Sequence, residues 1–217
     1  MINRELYMEQ ITPFIDKPFV KVITGIRRCG KSVVLRLIRE ELLRRGVSED
    51  YIIYMNFESF EWIDMKEAKA LYAHIREATK APGKYYILLD EIQEVTDWEK
   101  AVNAFLVDLD VDIYVTGSNS RLLSSEFSTY LAGRYVAFHI MTLSFREYLL
   151  FHDLPLTISV SDRKTEFLKY LRMGGFPAIH TANYDYNAIY KIVYDIYSSV
   201  ILRDTVHRHS IRNVEML

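Results

Sequence analysis

Val22-Ile23-Thr24-Gly25-Ile26-Arg27-Arg28-Cys29-Gly30-Lys31-Ser32 is the stretch on which the fold turns. From Gly25 it satisfies G-x-x-x-x-G-K-[ST] in full, a pattern that chance produces in about one chain in a hundred of this length. Its surroundings sharpen it. An apolar run, Phe19–Thr24, leads in, and Val34, Ile38 and Leu42 recur at helical spacing behind it until Gly46 supplies a left-handed stop. A strand, a glycine loop and a helix start together form a phosphate cradle. The glycines let successive N–H groups converge on anionic oxygens, and the helix adds the positive end of its dipole. Gly25 through Ser32, with Val33 behind them, are therefore the candidate nucleotide-binding residues: Gly25, Ile26, Arg27, Arg28, Cys29, Gly30, Lys31, Ser32 and Val33. Lys31 would bridge the β- and γ-phosphates, and Ser32 would offer its hydroxyl to Mg²⁺.

Working outward, four more apolar runs follow: Tyr51–Asn56, Tyr85–Asp90, Val111–Thr116 and Tyr135–Ile140. Helical stripes separate them, one through Met65, Leu71 and Ile75, another through Trp98, Val102 and Phe105. Pro82-Gly83 marks a turn, and Thr96 with Glu99 has capping-box spacing. Such alternation predicts an α/β fold, a parallel sheet with helices on both faces. After Ile140 it stops. Ser144 and Glu147 open a helical portion, so the boundaries read as 1–141 for the core and 142–217 for a lid or linker. In that portion Tyr186, Tyr190, Tyr194 and Tyr197 form one stripe and Ile189, Val193, Ile196 and Val200 another, a helix that asks for burial on two sides.

The run Tyr85–Asp90 ends on Asp90-Glu91, a Walker B pattern. Asp90 would hold Mg²⁺ through its water shell, and Glu91 would act as general base on the attacking water. In Val115-Thr116-Gly117-Ser118-Asn119-Ser120, Asn119 is the choice for a polar side chain that senses the γ-phosphate, with Ser118 close behind. A plain Gly-Ser-Asn turn is the alternative. Arg134 enters the fifth run, where its guanidinium could meet phosphate oxygens of this subunit or of a neighbour, or be an ordinary surface arginine. Arg27 and Arg28 clamp phosphates or pair at the surface, and Cys29 is a small filler.

Bulk properties exclude several classes. The 217 residues are 50% hydrophobic and 26% charged, which suits an ordinary globular core. The net charge of −2 creates no global field for nucleic acid; the basic cluster Arg203, His207, Arg208, His209 and Arg212 reads as a solvated face. One cysteine makes no internal disulfide, and no apolar run is long enough for a membrane helix. The expectation is a cytoplasmic protein without a membrane partner.

These motifs together resemble the prokaryotic AAA+-superfamily ATPases in which a P-loop core precedes a C-terminal domain of the DUF4143 type. The resemblance rests on Val22–Ser32, on Leu89-Asp90-Glu91-Ile92-Gln93 with Trp98-Glu99, on Thr116–Ser120, on Leu131-Ala132-Gly133-Arg134 and on Leu143-Ser144-Phe145-Arg146-Glu147-Tyr148. It implies a P-loop NTPase fold of the ASCE/AAA+ type with strand order 5-1-4-3-2. It also implies ATP and Mg²⁺ as ligands and oligomer-dependent regulation in a homo-oligomer. Gly174-Gly175-Phe176-Pro177 looks like the start of a linker and winged-helix region that normally continues well past 217. Hence the expectation of a chain cut short at its C-terminus, with DNA contact left to the part beyond. The expected function is Mg-dependent ATP hydrolysis; the alternative is a nucleotide-gated interaction switch with little or no hydrolysis. A small-acceptor kinase fits less well, because Asp90-Glu91 supplies a water-activating base.

Overall fold

A computed structural model describes residues 3–117, 122, 130–157, 159–181 and 184–200. Two compact units divide the chain. One comprises Asn3–Gly25 with Lys31–Ile140, and the other gathers Ile26–Gly30 with the chain from Met141 onward.

The first unit is built on five parallel strands, β1 (Val20–Thr24), β2 (Ile52–Asn56), β3 (Tyr85–Asp90), β4 (Val111–Gly117) and β5 (Tyr135–His139). Their order is β2-β3-β4-β1-β5, the order that the family resemblance implies. Strand pairing aligns Asn56 with Asp90, and Thr24 with both Gly117 and His139. The carboxyl ends of all five strands therefore lie along one edge of the sheet. Central strands β1 and β3 are buried along their whole length, whereas edge strands β2 and β5 are only partly so. That difference is why the central runs read as continuously apolar rather than alternating.

Helices cover both faces. α3 (Ala68–Ala78) and α4 (Trp98–Asp108) place Leu71, Ile75, Trp98, Val102 and Phe105 against Val22, Met55, Ile87, Leu89, Ile113 and Val115. Strand alternation turns Ile23, Leu88 and Tyr114 to the other side. There α2 (Lys31–Arg44) buries Val34, Ile38 and Leu42, and α1 (Glu5–Ile11) buries Tyr7 and Ile11. Each such side chain, fully buried, contributes about 1.5–3 kcal/mol. Beyond the end of α2, Gly46 at φ 90° donates its N–H to the Leu43 carbonyl (2.9 Å), the predicted left-handed stop.

Two local expectations are corrected. Met65 lies in a 3-10 helix (Phe60–Met65), and α3 begins only at Ala68. Thr96 does not cap α4: the N-cap is Asp97, left-handed at φ 57°, with no side-chain cap bond. Thr96 is instead engaged by its backbone, donating to the Lys66 carbonyl (2.9 Å) and accepting from Ala68 N–H (3.1 Å). Tertiary pairing has overridden a local signal.

The second unit carries α5 (Phe145–Phe151), α6 (Val160–Met173) and α7 (Tyr186–Val200). The capping box at α5 is as predicted: Glu147 N–H donates to Ser144 Oγ (3.3 Å) and Ser144 N–H to Glu147 Oε2 (2.8 Å). Gly175 has to be glycine, since a β-carbon there would sit 2.6 Å from the Leu143 carbonyl oxygen. Along α7, Ile189 and Ile196 are buried while Tyr186, Tyr190, Tyr194 and Tyr197 are 45–67% exposed, so burial covers one side of the helix rather than two.

A histidine pair links α5 to the turn Pro177–His180. His180 Nε2 donates to the Gly174 carbonyl (2.8 Å), which leaves its Nδ1 to accept from His152 Nε2 (3.0 Å). Burial, with His152 adding to it, pushes His180 below the usual histidine range. A folded state that resists protonation loses stability as pH falls through the ordinary histidine value of about 6.5, because the unfolded chain then binds the extra proton. Thermal melts are expected to drop between pH 7.5 and 5.5, and His180→Phe should flatten that dependence. An unchanged slope in the variant would show that the pair is not responsible.

Candidate functional site

Chain reversal at the carboxyl edge creates the site. After β1 the backbone passes through φ 153° at Gly25, 64° at Arg28 and 104° at Gly30, then enters α2 at Lys31. Glycine supplies two of these three left-handed positions without steric cost. Arg28 does not, and a side-chain-bearing residue held there is a strained feature typical of ligand loops. Arg28 and Ile26 are exposed, Arg27, Gly30, Ser32 and Val33 are half-buried, and Cys29 is buried.

Lys31 is only 4% exposed. Its ammonium donates to the Gly25 carbonyl (3.3 Å) and faces Glu91 Oε1 at 3.4 Å. The loop lysine and the acid after β3 thus meet directly, although 60 residues and two strands separate them in sequence. Asp90 is fully buried at the end of β3. Thr116 Oγ1 donates to its Oδ1, and the Tyr54 hydroxyl donates to its Oδ2 (2.9 Å). Thr116 in turn accepts the Glu91 N–H (3.0 Å), so one hydroxyl fixes both acids of the pair. Burial, reinforced by Asp90, pushes the Tyr54 phenol above its ordinary value, which keeps it a donor.

The donor set suits a hard cation. Ser32 and Asp90 offer hydroxyl and carboxylate oxygen, and each Asp90 oxygen keeps a lone pair beyond the hydroxyl it accepts, enough for a metal-bound water. Among the described residues no group of three or more His, Cys, Asp or Glu could hold a metal by itself. An ion here would complete its shell with waters and phosphate oxygens, the habit of Mg²⁺.

Of the remaining candidates, Asn119 and Ser118 lie outside the described residues, as does the basic cluster of the tail. Arg134 is corrected in one respect. It precedes β5, whose first residue pairs with Val20 at the start of β1, so it stands at the amino edge of the sheet, away from Asp90. Its guanidinium donates to Asn103 Oδ1 of α4 (3.0 Å). That contact and that strand position set it apart from Lys31 and Asp90, which lie at the carboxyl edge of the same sheet. Sequence reasoning missed Tyr54, which sits in an apolar strand and reaches Asp90 only through the β2–β3 register, and it assigned no role to Gln93, whose Nε2 donates to Glu91 Oε2.

The AAA domain family profile matches residues 17–149, which takes in all five strands and most of α5. The chain belongs to the AAA domain family. An uncharacterised protein of Haemophilus influenzae is 40% identical over 220 residues, covering 100% of this chain and 54% of that protein. Another, from Methanocaldococcus jannaschii, is 35% identical, covering 99% of this chain and 47% of its own. The chain therefore spans about half the length of the curated relatives it matches. Among solved structures, AMPPCP-bound DnaA from Aquifex aeolicus superposes with a TM-score of 0.54 at 14% identity, over 96% of this chain and 67% of that one. At that identity the likeness shows a shared AAA+ fold. No helix among the described residues is long and apolar enough to cross a membrane.

Proposed function

We propose that this AAA domain binds ATP with Mg²⁺ and hydrolyses it to ADP and phosphate. The observation that carries the reading is the 3.4 Å approach of Lys31 Nζ to Glu91 Oε1 beside a buried, doubly hydrogen-bonded Asp90. Without nucleotide, Lys31 and Glu91 neutralise each other. A triphosphate offers Lys31 more negative charge than one carboxylate, so the lysine turns to the β- and γ-phosphates and Glu91 is released as a base. Glu91 then takes a proton from the attacking water while the new bond to the γ-phosphorus forms and the bond to the β-phosphate oxygen breaks. Ser32, and Asp90 through water, would hold Mg²⁺, which would offset charge on the transferring group. Positioning and electrostatics supply most of the acceleration in such reactions.

Calorimetric titration with ATP, ADP and GTP, with and without Mg²⁺, tests the reading alongside phosphate release. Saturable ATP binding that strengthens with Mg²⁺, together with steady release of phosphate, is the expected result. Absence of any nucleotide heat would overturn it.

The exposed tyrosines of α7 favour a second reading, a nucleotide-gated interaction switch in which hydrolysis only resets a partner surface. In that case hydrogen exchange over 184–200 changes between the ATP and ADP forms. Identical exchange in both forms removes this alternative.

A further inference from the structure

We propose that Gln93 is a positioning residue that fixes the Glu91 carboxylate, an inference that rests on the hydrolytic reading above. Glu91 adopts the left-handed conformation (φ 55°, ψ 49°), and a 3-10 turn, Ile92–Glu94, follows at once. That reversal brings side chains two residues apart to the same side, where Gln93 Nε2 donates to Glu91 Oε2. Flipping the amide would set its oxygen against a carboxylate oxygen, acceptor against acceptor, so the donor orientation is the one that satisfies both groups.

The other end of the amide is informative. Gln93 Oε1 is buried and has no hydrogen-bond partner among the described residues. It is wedged against the end of β4, where a β-carbon on Gly117 would lie 2.1 Å from it. An apolar side chain of similar length would fill this space without leaving a buried acceptor unpaired. The bond from its nitrogen to Glu91 is the side-chain hydrogen bond this amide makes among the described residues. Glu91 Oε2 is tied to Gln93 while Oε1 faces Lys31, and when Lys31 turns to phosphate the same tether leaves Oε1 aimed at the start of α2. Without it the carboxylate rotates about its own side-chain torsions.

Gln93→Met keeps length and removes the donor, while Gly117→Ala keeps the amide and pushes it from its seat, crowding Leu122 as well, whose Cγ would lie 2.7 Å from the new β-carbon. Both are expected to lower kcat by about tenfold to a hundredfold, the range for misplacing a reacting group, and to leave ATP affinity and KM within about twofold. The contact has its own readout, independent of turnover. In ¹H–¹⁵N spectra the Gln93 side-chain amide should shift on Glu91→Ala. An amide resonance that stays put, or a wild-type kcat in both variants, overturns the tether. A shifting resonance with no turnover in the wild-type chain overturns hydrolysis and leaves the Gln93–Glu91 contact standing.

Discussion

Glu91→Gln is expected to retain ATP and lose turnover by about 10²–10⁴-fold, the contribution of a positioned general base. The amide matches the carboxylate in shape but has no lone pair basic enough to take the proton from water. Binding should be equal or tighter than in the wild type, because the substitution removes the charge that Lys31 otherwise faces at 3.4 Å and spares the nucleotide that competition. Lys31→Ala behaves differently. It deletes the ammonium that meets the phosphates and leaves Glu91 unneutralised beside the loop, so both affinity and turnover should fall. Calorimetry and a phosphate-release assay on the two variants separate these effects. Wild-type turnover in Glu91→Gln would remove Glu91 as the base, and undiminished ATP affinity in Lys31→Ala would remove the lysine as a phosphate ligand.

Most of the sheet was legible because burial on both faces leaves long apolar runs. All five predicted strands lie within one residue of the observed ends, while the strand order came only from the family resemblance, which implied the observed one. Local chemistry was readable where neighbours did not interfere, as at Ser144 and Glu147. It failed at Thr96, whose backbone is claimed by residues 66 and 68 from another part of the chain. Arg134 and Tyr54 show the same limit from the side of function. A sequence gives position along a strand, but which edge of the sheet a residue occupies, and whose carboxylate it reaches, depends on register. Tyr54 looks like one more apolar-run residue until β2 is set beside β3. Glu91 and Gln93 are two residues apart on paper, yet the hydrogen bond between them requires a left-handed residue that no local signal announces.

At the opposite edge of the sheet, Asp112→Ala is expected to destabilise the fold by about 3–5 kcal/mol, the cost of stranding a buried charge. Lys21 and Asp112 are both buried, on β1 and β4, and are directly paired. Asp112 Oδ2 also accepts from the Asp16 N–H (2.8 Å) and the Tyr114 hydroxyl (2.9 Å), and Tyr86 donates to Asp16 Oδ1 (2.7 Å). Removing the carboxylate takes an acceptor from three donors at once and leaves the Lys21 ammonium only the neutral Lys17 carbonyl (2.9 Å) as a hydrogen-bond partner among the described residues. Lys21→Met should cost less, because Asp112 keeps two neutral donors, and Lys21→Met/Asp112→Leu should recover part of the loss, as apolar replacement of a buried pair often does. The sign of the pH dependence gives a second check. Burial already holds Lys21 below the ordinary lysine value, and Asp112 opposes that shift. Without Asp112 the folded lysine sheds its proton earlier still, so between its folded value and about 10.4 the unfolded chain binds more protons and stability rises with pH. The deficit of Asp112→Ala in urea melts should therefore shrink from pH 7 toward pH 10. A constant deficit would mean that lost packing, not an unpaired charge, sets the cost. Nucleotide affinity should not change in any of these variants that stay folded, since the pair sits toward the amino ends of β1 and β4, whereas Lys31 and Asp90 lie at the carboxyl edge of the sheet.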